Sequence, residues 1–228
     1  MKTPTYSDFV LKRLHSLTGV VPLTVFIFFH FFANSFSTKG PDAFNDVVKQ
    51  LRGLPFLEAI EWGFLFSPFL FHMIYGTYLI STAKTNTSRM PFRRNWAYTA
   101  QRATAILVFV FIIYHVVGIR FMDAHGKSDV FTVMREKFEH PFTYWWYVVG
   151  IACTAFHLAN GLCTFMMTWG ITTGQKAQKL AAYAMTGVGL LVFFLGMSAV
   201  NGFLEKHPPA RNVEAKVVAP APSASHAQ

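Results

Sequence analysis

Four histidines stand at nearly equal intervals in this sequence, each inside its own apolar run. The intervals between them are 42, 43 and 42 residues. An imidazole nitrogen binds metal ions and protons, and an ionisable side chain in hydrocarbon is costly unless it is paired or coordinated. The spacing therefore indicates a functional set rather than four unrelated residues. Its members are His30, His72, His115 and His157.

The apolar runs are long enough to cross a membrane. From Leu14 to Thr38 there is no Asp, Glu, Lys or Arg, and these 25 residues exceed the roughly 20 that a spanning helix needs. With 53% apolar and only 14% charged residues, the chain is predicted to be an all-α membrane protein with five transmembrane helices. The predicted spans, about 14–36, 62–83, 98–119, 142–169 and 180–204, form one domain, 1–204. The Ala/Pro/Ser-rich remainder, 205–228, is predicted to be disordered. A short surface helix is expected between Gly40-Pro41 and Gly53-Leu54-Pro55.

The net charge of +9 follows the membrane orientation. The N-terminal lead, the second loop and the fourth loop hold 10 Lys/Arg against one acid, whereas the first and third loops hold 7 against 8. The positive-inside rule then predicts a multi-pass protein with a cytoplasmic N-terminus and an outer C-terminus. Because the basic residues belong to loops beside lipid, a nucleic acid partner is not expected.

The depth of each histidine in its span predicts which ones face each other. The first and third spans run outward, so His30 and His115 lie near the outer face. The second and fourth run inward, and at 1.5 Å per residue His72 and His157 lie nearer the cytoplasm. We therefore predict two pairs, His30 with His115 and His72 with His157, in a bundle that gathers one ligand from each of four helices.

Two imidazoles that face each other suit the axial positions of a haem iron. A zinc site would collect three or four ligands at one depth, whereas these four are spread over two depths. The reading that uses all four residues is therefore a haem-binding bundle with two haems stacked across the membrane. With both axial positions filled, the role expected of each haem is electron transfer.

The sequence at the start of the first span, taken together with the histidine spacing, resembles that of a known family. It contains Arg13-Leu14-His15-Ser16, and five spans with four regularly spaced histidines follow. Over about residues 6–204 the chain resembles the single-chain, di-haem cytochrome b anchors of bacterial succinate dehydrogenases and fumarate reductases. The resemblance implies a subunit of the cytoplasmic (inner) membrane with two haem b groups. It would transfer electrons between an iron–sulfur subunit and menaquinone, and would not by itself act on succinate.

The resemblance also assigns the ligands and the partners. It implies His72 and His157 on the iron of the proximal haem, nearest the iron–sulfur subunit, and His30 and His115 on the distal one. The implied partners are that iron–sulfur subunit and an FAD-containing flavoprotein, in a complex that can form higher oligomers. Neither partner's centre is expected in this chain, which has no dinucleotide fingerprint and no cysteine cluster.

Haem propionates need cations or hydroxyls at the membrane edge. The family places such contacts at His15 and Ser16, which open the first span on the cytoplasmic side. Arg13, Gln101 and Arg102 stand at the same level and are further candidates.

A quinone exchanges protons with its electrons, so its site needs a titratable group near a haem edge. The candidates near the outer pair are Glu58, Glu61 and Asp123. No Asp or Glu lies inside any predicted span, so a carboxylate relay across the membrane is not expected.

Three alternatives stay open on the sequence. The chain could be the haem b subunit of a membrane hydrogenase or formate dehydrogenase, but that alternative predicts ligands that are not shared one per helix over four consecutive helices. It could be a transporter with a histidine proton relay, which would need mid-membrane carboxylates that the spans lack. It could also be an anchor without haems, in which the histidines only bond to neighbouring helices.

Overall fold

The computed structural model describes residues 6–123 and 129–208, without the side chains of 122 and 123. Within those ranges the regular structure is helical, and five helices are long and apolar enough to span a membrane. The prediction of an all-α membrane protein with five spans is confirmed. Most of the predicted disordered tail, 209–228, lies outside the described residues. The helices are α1 Tyr6–Lys39, α2 Pro41–Arg52, α3 Leu57–Ser81, α4 Arg93–Phe121, α5 Val130–Glu139, α6 Pro141–Thr168 and α7 Gln175–Leu204.

Four spans begin at least five residues earlier than hydropathy predicts. α1 begins at Tyr6 rather than Leu14, α3 at Leu57 rather than Trp62, α4 at Arg93 rather than Tyr98, and α7 at Gln175 rather than Leu180. In each case the added turns carry charged side chains, which are Glu in α3 and include Lys or Arg in the other three. Charge marks where the hydrocarbon ends, but backbone hydrogen bonds can continue the helix into the headgroup layer.

Two spans contain a π-helical turn beside a proline. In α1 the turn is Gly19–Thr24 and contains Pro22, and in α3 it is Glu61–Phe66, directly before Ser67-Pro68. A proline lacks the backbone N–H of the normal i to i−4 bond, and a π turn lets the helix continue with a changed register. The first of these turns brings Gly19 against a histidine, as described below.

The short helices α2 and α5 cover one end of the bundle, which we call the capped end. Asn45 of α2 joins them, since its Oδ1 accepts from the backbone N–H groups of Val130 and Phe131 at 3.0 and 3.1 Å and its amide donates to Asp129 at 2.9 Å. The buried aromatic core of the protein lies beneath them and includes Phe44, Phe131, Phe138 and Phe203. The surface helix predicted in the first loop is thus present as α2, whereas α5 was not predicted.

Packing is tight on one side of the bundle and loose on the other. α6 and α7 approach closely at Gly189, where a Cβ would lie 2.9 Å from the Cβ of Ala159. In contrast, none of the residues in the most apolar stretch of α3 is buried. The glycines of the spans differ in the same way. An added Cβ at Gly19 would lie 2.7 Å from a neighbouring side chain and one at Gly189 2.9 Å, whereas no described neighbour stands within 4 Å of an added Cβ at Gly63 or Gly187.

Candidate functional site

A large apolar cavity runs along the loosely packed side of the bundle. Its volume of about 3170 Å³ is several times the roughly 300–1,000 Å³ of an ordinary ligand pocket. It extends from the capped end to the opposite end, which we call the basic end because Arg13, Arg93, Arg94 and Arg102 lie there. All four histidines of the spaced set, His30, His72, His115 and His157, line this cavity.

The structure brings the histidines together in the two predicted pairs. Near the capped end, the ring centroids of His30 and His115 are 5.7 Å apart with ring planes at 88°. Near the basic end, the centroids of His72 and His157 are 6.4 Å apart at 83°. Among the described residues no three His, Cys, Asp or Glu side chains converge as a metal-ion site, so the donor sets that the cavity offers are pairs of imidazoles.

At the basic-end pair, main-chain carbonyls hold the rings. His72 Nδ1 donates to the carbonyl of His15 at 3.0 Å, and His157 Nδ1 donates to the carbonyl of Gln101 at 3.2 Å. A carbonyl can only accept, so these bonds place the proton on Nδ1 and leave Nε2 as the nitrogen for a metal. The Gln101 amide nitrogen also lies 3.2 Å from His157 Nδ1, but it donates to the His157 carbonyl at 3.0 Å.

At the capped-end pair, side chains hold the rings. His115 Nδ1 lies 3.0 Å from the hydroxyl of Tyr147, and the same Nδ1–H assignment leaves its Nε2 for a metal. The amide of Asn34 lies 3.5 Å from both ring nitrogens of His30 and donates to the His30 carbonyl at 2.8 Å. Phe26 stacks on the His30 ring with centroids 5.3 Å apart.

Glycines let neighbouring groups approach the basic-end pair. A Cβ at Gly19 would lie 2.7 Å from His72 Cε1, and one at Gly76 would lie 3.1 Å from His15 Cε1. His15 itself stacks on His72 with centroids 4.0 Å apart and planes at 15°. The orientation of the His72 ring therefore depends on a bare backbone at Gly19.

The five residues predicted to contact propionates all line the cavity, close to the basic end. Arg13 lies over the rings of Phe9 and Trp169, and Ser16 accepts from Trp169 Nε1 at 3.0 Å. Arg102 lies over the ring of Tyr98 and donates to its carbonyl at 2.9 Å.

Two buried polar atoms in this group have no protein partner among the described residues, His15 Nδ1 and Arg102 Nε. Buried polar atoms are normally hydrogen-bonded, so these two fit an anionic group of a cofactor. Paired imidazoles, an apolar slot and basic groups at its edge together match the donor set of a haem.

The three quinone candidates differ in position. Glu61 lines the cavity near the capped end and forms an ion pair with Arg120 at 3.2 Å. Glu58 is exposed at the start of α3 and does not line the cavity. The side chain of Asp123 lies outside the described residues.

Sequence reasoning missed the partners that orient the histidines. They are Tyr147, whose hydroxyl lies 3.0 Å from His115 Nδ1, and Asn160, which donates to Gln101 Oε1 at 2.8 Å. The available signal was depth: Tyr147 lies near the outer start of the fourth predicted span, at the level of His115 near the outer end of the third.

Comparisons with known proteins identify the family of the chain. Residues 81–197 match the family model described as succinate dehydrogenase/fumarate reductase transmembrane subunit. The chain is also 34% identical, over 197 residues, to the succinate dehydrogenase cytochrome b558 subunit of Bacillus subtilis (strain 168), with 86% of this chain and 98% of that protein covered. These matches point to the family of the resemblance rather than to hydrogenase subunits or transporters. The chain belongs to the family of succinate dehydrogenase/fumarate reductase transmembrane subunits.

Proposed function

We propose that this chain holds two haem b groups and carries electrons between an iron–sulfur partner and menaquinone. As a member of its family, the chain is a multi-pass membrane anchor, the cytochrome b subunit of a succinate:quinone oxidoreductase, and works in a complex with other subunits. The number of haems, the quinone and the named partners are the proposed part.

One observation carries the proposal: two pairs of imidazoles face one cavity at its two ends. His30 and His115 would ligate the iron at the capped end, and His72 and His157 the iron at the basic end. At three of the four histidines a partner engages Nδ1 and leaves Nε2 for iron. This is the arrangement expected of metal-ligating histidines, whose other nitrogen is held by a neighbour.

The basic end supplies groups for the propionates of the haem beside it. Arg102 Nε and His15 Nδ1 are two of the four buried side-chain atoms that lack a hydrogen-bond partner in the described part of the chain, and Arg13 and Ser16 line the same part of the cavity. Gln101 lies there too, but its side chain is bonded to His157 and Asn160. We therefore assign Gln101 to His157 and the other four residues to the propionates.

The residues of the chain favour electron transfer over oxygen chemistry. A haem held by a pair of these histidines would exchange single electrons, and the second histidine of the pair would take the place that oxygen needs. The apolar lining keeps water away from the pairs, and the fixed rings limit rearrangement when charge changes. Two pairs in one cavity make a path along the bundle axis.

The quinone end is expected at the capped end. Glu61 lines the cavity there within reach of Arg120, so it is the best placed of the three carboxylates to exchange protons with menaquinone. Glu58 and Asp123 stay predictions. The basic end would face the cytoplasm by the positive-inside rule, and the iron–sulfur and FAD-containing subunits would dock on it.

Haem content in four alanine variants tests the proposal. His30→Ala and His115→Ala should each lose the same haem, and His72→Ala and His157→Ala the other, as judged by reduced-minus-oxidised spectra and haem per chain. His140→Ala, which changes an exposed histidine between α5 and α6, is the matched control and should keep both. A wild-type complex without two haems, or losses in any other pairing, would contradict the proposal.

A further inference from the structure

Tyr147 is among the most buried side chains of the membrane bundle, with 4% of its surface exposed. Three aromatic neighbours fix its ring. The centroid of Phe138 is 4.8 Å away, that of Phe111 5.2 Å and that of Tyr114 6.4 Å, all in edge-on geometry. A buried tyrosine hydroxyl needs a polar partner, and a ring fixed in this way holds its hydroxyl in one place.

The hydroxyl of Tyr147 lies 3.0 Å from Nδ1 of His115. The His115 ring is also in contact with the Tyr147 ring, with centroids 5.7 Å apart. If Nε2 of His115 faces iron, Nδ1 carries the proton and donates it to the phenol oxygen. Tyr147 then fixes the tautomer and the rotation of the ring at once.

We propose that Tyr147 is a positioning residue of the capped-end site, which holds His115 for iron and lowers the reduction potential of the haem bound there. The inference rests on the two-haem function proposed above. A hydrogen bond donated by the imidazole makes the ring a stronger electron donor, and a stronger donor stabilises the oxidised iron. His157 of the basic-end pair follows Tyr147 by ten residues on α6, about 15 Å at 1.5 Å per residue, so the effect is confined to one haem.

The test is a redox titration of the intact complex carrying Tyr147→Phe, which keeps the ring and removes only the hydroxyl. The midpoint potential of the haem that His30→Ala and His115→Ala remove should rise, by up to about tenfold in its reduction equilibrium, or ~59 mV for one electron. The potential of the other haem should not move. Tyr114→Phe is the matched control, because it removes a hydroxyl from a neighbouring ring.

Each outcome decides the inference. Unchanged potentials, a shift in the other haem, or an equal shift in Tyr114→Phe would overturn it. If Tyr147→Phe loses the capped-end haem while Tyr114→Phe keeps it, the hydroxyl is needed for ligation and the inference stands. If both variants lose it, packing is responsible and the inference is wrong. Failure of the two-haem function would show separately, as a wild-type complex without two haems.

Discussion

The two histidine pairs are held by different kinds of partner. At the basic end, His72 and His157 bond to main-chain carbonyls. At the capped end, His30 and His115 lie beside the side chains of Asn34 and Tyr147. A carbonyl of the main chain cannot be removed by substitution, whereas a side chain can. The basic-end pair should therefore respond to changes in backbone geometry, and the capped-end pair to changes in side-chain chemistry.

The surroundings of the pairs differ in the same sense. The capped end is covered by α2 and α5 and contains the buried aromatic core. Phe138 of α5 contacts the ring of Tyr147, which in turn contacts His115. Near the basic end the cavity is lined by α1, α3, α4, α6 and the start of α7, with basic residues at its edge. A change in α2 or α5 should therefore affect the capped-end pair more than the basic-end pair.

The largest effect is expected from Gly19→Ala. The new methyl group would lie 2.7 Å from His72 Cε1, so the ring must move away from its carbonyl partner. Binding of the basic-end haem should weaken by about 10–100-fold, the usual effect of disturbing a group that orients a metal ligand, while the capped-end haem stays. Haem retention during dilution, followed by spectra of each haem, measures this.

Gly63→Ala is the matched control for Gly19→Ala. Gly63 also lies in a π-helical turn of a span, but nothing stands within 4 Å of its added methyl group. This variant should keep both haems. Equal loss in the two variants would attribute the effect to the π turn rather than to the contact with His72.

The second effect concerns the cap. Asn45→Ala removes two hydrogen bonds to the first turn of α5 and one to Asp129. Loss of partners for buried groups costs about 1–3 kcal/mol, so α5 should open more often. Hydrogen exchange of the α5 amides should become faster, with the capped-end haem more affected than the basic-end haem. The neighbouring exposed Asp46→Ala should leave the exchange unchanged, and unchanged exchange in Asn45→Ala would show that the aromatic core alone holds the cap.

The sequence predicts the spans and the pairs because both depend on simple regularities. Uninterrupted apolar length predicts the spans, and distance along a helix predicts the depth of each histidine. Neither of these two regularities tells how each helix is rotated about its own axis. The partners Tyr147 and Asn160, and the bonding of Gln101 to His157, depend on that rotation and so required the structure.

The helix α5 shows a different limit. Its buried residues Val130, Phe131, Met134 and Phe138 have the spacing of one helical face, so a signal was present. It lies in a loop with mixed charges, where hydropathy alone predicts no span. The sequence pattern does not show which helix covers this face. The contact comes from Asn45 of α2, which bonds to Asp129 from 84 residues away in the chain.

A smaller effect is expected from Gln101→Leu. The substitution removes the bonds from the amide to the His157 carbonyl and from Asn160, but the main-chain carbonyl that holds His157 Nδ1 stays. Haem binding at the basic end should weaken by less than about tenfold, near the ~1 kcal/mol of an ordinary hydrogen bond. The dilution assay used for Gly19→Ala measures it, with Gln178→Leu, outside the pair, as control. Complete loss of this haem would show that the side chain, not the backbone, holds the ligand.

The smallest effect is a pH dependence of the cap at Asp129. Partial burial alone would raise the pKa of this carboxyl group, but hydrogen bonds from Thr132 and Asn45 outweigh it and lower the pKa. Because the folded state favours the charged form of Asp129, the carboxylate contributes fully to the stability of the cap above the pKa of the unfolded carboxyl, near 4. This contribution is lost as the pH falls through the lower pKa of the folded state. Solvent keeps the contribution small.

Two variants separate the charge of Asp129 from its role as the N-cap of α5, where Oδ1 accepts from the Thr132 N–H at 3.1 Å. Asp129→Ala removes the N-cap and should speed exchange of the α5 amides at neutral pH, because losing an N-cap costs about 1 kcal/mol of helix stability. Asp129→Asn keeps an oxygen acceptor and removes the charge. At neutral pH it should lower the protection of the α5 amides less than Asp129→Ala does, and in acid the difference from the wild type should disappear, after correction for intrinsic exchange rates. A loss of protection in Asp129→Asn that persists at low pH would mean that the charge does not stabilise the cap, and that the geometry of the acceptor alone joins α5 to α2.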